Sequence, residues 1–70
     1  MTAEQAISWL SLKPKDLPVF VLVATDPIAP EVIVEWGRKA FQSGVPMKKV
    51  IQAGDVMREF HLWPNKKLPD

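Results

Sequence analysis

The side chains here that could do chemistry are few, and their spacing keeps them apart. His61 is the single imidazole and there is no cysteine. A nucleophile–base pair would therefore need a hydroxyl brought to His61 by the fold. The pattern places His61 on the apolar side of a helix near its end, where an imidazole favours the C-terminal dipole. Glu31 and Glu35 lie one helical turn apart, but they share a wet face with Arg38 and Lys39. Nothing there would desolvate them and raise a pKa for acid–base work. Gly37, Gly44 and Gly54 are scattered, so no phosphate-cradling loop is written in the sequence. One histidine without thiolates does not make a metal site. No catalytic residue, cofactor or metal is expected, and the chain reads as a non-enzyme.

The elements that would carry these residues belong to one small domain spanning 1–70. Hydrophobic residues are 47% and charged residues 24%, a globular balance. The net charge of +1 lacks the basic excess of a dedicated nucleic-acid binder of this size, so nucleic acid is not expected as a partner. No apolar run approaches a membrane span and no leader pattern opens the sequence, so a cytoplasmic location and no membrane partner are expected. Chains this short bury only about 60% of their unfolded surface and usually need a staple. Without cysteine or a metal set, the remaining staple is a partner chain.

Thr2 and Gln5 fit a capping box, and Ala3, Ala6, Ile7 and Leu10 recur at helical spacing. They predict a helix over 3–12, stopped before Pro14. Val19 to Thr25 is β-branched and aromatic, bounded by Pro18 and Asp26-Pro27, and predicts a strand over 19–25 with both faces buried. A helix over 28–43 follows, with Asp26 as a cap and Pro27 first, or with Pro30 first. Its apolar stripe is Ala29, Val32, Ile33, Trp36, Ala40 and Phe41, with Trp36 in the core, and Gly44 ends it. A third helix over 46–62 carries Met47, Val50, Ala53, Gly54, Met57 and Phe60 on one face. Gly54 there is either a tolerated weakness or a place where another backbone approaches. Residues 64–70 read as an extended tail.

The class implied is α+β, in the order helix–strand–helix–helix. A lone strand leaves two edges of unpaired main-chain groups. The expected remedy is a homodimer in which two strands pair across a two-fold axis as an antiparallel ribbon. Val19, Phe20, Val21, Leu22 and Val23 would form that interface. This layout resembles ribbon–helix–helix DNA-binding proteins, in which polar side chains on the strand read base edges. No Arg, Lys, Asn or Gln lies between Val19 and Ala24, so a DNA-associated regulator is the second reading and not the first.

Three tryptophans in 70 residues are many. Trp9 at the margin of the first helix, and Trp63 with Lys66 and Lys67 in the tail, have the composition of a protein-binding hot spot. Alternatively both rings cap the core or the dimer seam, and the lysines are solvated. The stretches Asp26…Ala29-Pro30-Glu31-Val32…Trp36, Gly44-Val45-Pro46, Lys49-Val50 and Trp63-Pro64…Lys67-Leu68-Pro69-Asp70 resemble short uncharacterised proteins of bacteriophage and prophage origin. That resemblance covers about residues 18 to 70 and transfers no site residue. It implies a bacterial host cytoplasm and an accessory role, such as binding or inhibiting a host macromolecule.

Overall fold

The computed structural model describes residues 1–68 and contains three α-helices: α1 (Ala3–Leu10), α2 (Ala29–Gln42) and α3 (Met47–Leu62). The predicted bounds of 3–12, 28–43 and 46–62 each reach one or two residues further at one or both ends. Residues 69 and 70, the end of the predicted tail, lie outside the described residues. None of the helices is long and apolar enough to cross a membrane.

The expected strand is absent, and with it the α+β class and the antiparallel ribbon. Among the described residues the fold is all-helical. Val19 to Val23 has no regular structure, and Ala24 and Thr25 belong to a turn. The physical reason is that β composition sets a preference, whereas a ladder needs a second strand. None is present among the described residues. Among the described residues, the main-chain groups of Val19–Leu22 make no hydrogen bond. Without a ribbon, the likeness to a ribbon–helix–helix reader loses its reading element.

Local chemistry accounts for the helix ends. The hydroxyl of Thr2 accepts from the Gln5 N–H at 3.2 Å, while the Gln5 amide oxygen accepts from the Thr2 N–H at 2.8 Å. Both halves of the capping box are thus made. Pro30 sits in the first turn of α2, where its missing N–H costs nothing. Asp26 does not cap that helix; its Oδ1 accepts from the Ile28 N–H at 2.8 Å and closes a turn ahead of it.

Ser43-Gly44-Val45-Pro46 joins α2 to α3 through a Schellman turn. The Val45 N–H donates to the Ala40 carbonyl at 3.0 Å and the Gly44 N–H to the Phe41 carbonyl at 3.2 Å. Gly44 holds φ +82, a left-handed conformation that costs an L side chain about 1–2 kcal/mol. The reversal lays α3 back against α2, and among the described residues this is the only helix pair in contact. α1 touches neither.

The interior is nearly empty. Ala29 and Ala40, 0% and 6% exposed, are the only buried hydrophobic residues among those described, and no large side chain is fully buried. Trp36, expected in the core, is 52% exposed, and Phe20 is 86% exposed. The accessible surface is 6122 Å², against about 4,400 Å² for an average folded monomer of this mass. The radius of gyration of 13.1 Å exceeds the roughly 11 Å of a compact 70-residue domain. Composition supplies a core; one chain does not assemble it.

Candidate functional site

An open groove of about 310 Å³ runs along the α2/α3 hairpin. Ile33, Val34, Gly37, Arg38 and Phe41 line it from α2, and Val50, Ala53, Gly54 and Met57 from α3. On each helix the spacing repeats at three and four residues, so each set occupies one face. Gly37 and Gly54 both belong to this lining. A Cβ built at Gly37 or Gly54 meets nothing within 4 Å. Gly54 therefore does not mark a close approach within the chain; it leaves a gap. Phe41 and Val34 remain exposed on one wall, and Ile33, Val50 and Met57 are half-buried.

Arg38 is the single charged lining residue, and its charge is already partnered. Its guanidinium donates to both carboxylate oxygens of Glu35, at 2.6 and 2.7 Å. That hydrogen bond, reinforced by the charges of Arg38 and Lys39, holds the Glu35 carboxyl below its ordinary range. The pair sits in solvent, so it orients the Arg38 side chain and adds little stability. The groove can hold an apolar ridge and offers no reactive group to a substrate.

The residues expected to meet a partner lie on α1, at the end of α3 and in the tail. Trp9 is half exposed on α1, with the Lys13 ammonium 4.5 Å from its ring centroid. Such an exposed cation–π contact contributes about 0.5–1 kcal/mol. Trp63 follows α3 as its C-cap residue and is also half exposed. Lys66 is engaged within the chain: its ammonium donates to the Ala24 carbonyl at 2.9 Å and to the Phe60 carbonyl at the end of α3. The Lys67 N–H donates to the Thr25 carbonyl at 2.8 Å. The two lysines thus tie the tail to the turn before α2. Of the five residues assigned to a dimer interface, Val19, Phe20, Val21 and Val23 are exposed and Leu22 is half-buried.

No group of three or more His, Cys, Asp or Glu that could hold a metal occurs among the described residues, and His61 is exposed. No buried side-chain polar atom there lacks a hydrogen-bond partner. The sequence reading missed the groove because it treated Gly37 as incidental and Arg38 as part of a wet face. The usable signal was a glycine at the same point of two apolar repeats, 33/37/41 and 50/54/57. Comparison with known protein families, curated proteins and solved structures finds no match.

Proposed function

We propose that this chain is a non-enzymatic protein-interaction module that completes its apolar core by association with another polypeptide, a second copy of itself first among them. The supporting observation is the empty interior: a chain that is 47% hydrophobic buries only two apolar residues, both alanines, among those described. Apolar surface on this scale marks an interface in a native protein. The excess over an average monomer is about 1,700 Å² per chain, or about 3,400 Å² for two copies. Interfaces of obligate homodimers bury about 2,000–5,000 Å². A host macromolecule as a further target rests on the phage resemblance alone.

Sedimentation velocity from 1 to 200 µM, with far-ultraviolet dichroism on the same samples, tests this reading. Helical content that rises together with sedimentation coefficient is expected. A fully helical single chain across the whole range would overturn it.

A further inference from the structure

We infer that the α2/α3 groove is filled by α1 of a second copy, each chain lending its first helix to the other. The inference rests on the association reading above and adds the occupant and the surface.

The first observation concerns α1. Its eight residues pack on neither α2 nor α3. Helices shorter than about 12–15 residues are marginal in water unless an apolar face is packed. The capping box secures its first turn but supplies no packing. Ala3, Ala6, Ile7 and Leu10 form a stripe at i, i+3, i+4 and i+7, and Ile7 is 70% exposed. This is the anchor spacing of a helix laid into a groove.

The second observation concerns the groove, which lacks a third helix. Gly37 and Gly54 leave space where side chains would otherwise stand, so a helix backbone can approach closely. Its one charge, Arg38, is paired with Glu35, so an apolar occupant strands no charge. The two faces are complementary in kind and lie on the same chain; on α1, Ala3 and Ile7 are exposed while Ala6 and Leu10 are half-buried.

The third observation selects a second copy over the chain's own helix. The own α1 is joined to α2 by residues 11–28, and within the single chain it does not enter the groove. The Asp26 turn and the bonds from Lys66 and Lys67 to Ala24 and Thr25 fix where that connector enters α2. A reciprocal exchange covers two grooves and two α1 faces at once, and the excess of about 3,400 Å² for two copies lies within the roughly 2,000–5,000 Å² that obligate homodimers bury. The chain's net charge of +1 gives two copies little repulsion to overcome.

The direct test is isotope-filtered NMR on a mixture of labelled and unlabelled native chain. Intermolecular contacts from the Ile7 and Leu10 methyls to Val34, Val50 or Met57 are expected. Two variants accompany it in sedimentation equilibrium. Ile7→Glu charges the inserted face and Gly54→Leu fills the groove, and each should raise the dimer dissociation constant at least tenfold. Gln52→Glu on the opposite face of α3 should leave it unchanged. A dimer without α1–groove contacts overturns the exchange and leaves the association reading standing. Contacts found only within folded single chains overturn both. An unfolded single chain up to 200 µM excludes the second copy and leaves a different partner as the occupant.

Discussion

The two halves of this chain are built by different means. From Ala29 to Leu62 a Schellman turn reverses the chain, and α2 and α3 meet along a shared seam. From Ala3 to Ile28 a short helix has a fully formed cap and no helix to lean on, followed by an exposed apolar connector. The second half is a supersecondary unit; the first is a set of local preferences that no other helix packs against. A capping box worth about 1 kcal/mol sets where a helix begins. It does not offset the entropy of ordering eight residues at about 1–2 kcal/mol each. Local signals therefore define elements here, and only packing can hold them.

The contrast can be broken most forcefully in the hairpin. Ala40→Asp places a charge in one of the two buried apolar positions, and should cost about 3 kcal/mol or more through unpaired burial. Loss of helical dichroism well below the wild-type denaturant midpoint is the expected result. Gly44→Ala attacks the reversal itself and should cost about 1–2 kcal/mol, because φ +82 is disfavoured for any side chain with a Cβ. An unchanged midpoint would mean that the turn relaxes to another geometry. Thr2→Ala removes the cap of α1 and should cost about 1 kcal/mol. Faster amide exchange confined to the first turn of α1, with the hairpin protected as before, would separate the halves cleanly.

The smallest effect is that of pH on the Glu35–Arg38 pair. The folded carboxyl titrates below its unfolded value, so its contribution is present above the unfolded pKa. It is lost as pH falls through the folded pKa, in the acid range below the ordinary carboxylate value. Glu35→Gln should remove that slope, read from denaturant midpoints across acid pH, with little change at neutrality.

Much of the helical skeleton was legible in the sequence, because its boundaries are set by neighbours in the chain. Thr2 with Gln5, Pro30 and Gly44 each act over a few residues, and each does so in the structure. What depends on distant residues was not legible. Val19 to Thr25 has strand composition, but a strand exists only opposite another, and the preference went unanswered. Trp36 was assigned to a core because it lies in the apolar stripe of α2, yet it is 52% exposed. Lys66 read as a solvated or partner-seeking cation, and a carbonyl 42 residues away takes it up. The groove was hidden for a related reason: glycines at 37 and 54 acquire meaning only when α2 and α3 lie side by side.

The claim beneath all of this is that the chain by itself has too little interior to fold, and that association provides the remainder. Thermal unfolding followed by dichroism at 1 and 100 µM addresses it most directly. Self-association coupled to folding shifts stability by about 2.7 kcal/mol over that hundredfold range. The midpoint should then rise with concentration by on the order of 10 °C. A sharp transition at one temperature regardless of concentration, from a species of single-chain mass, would contradict it.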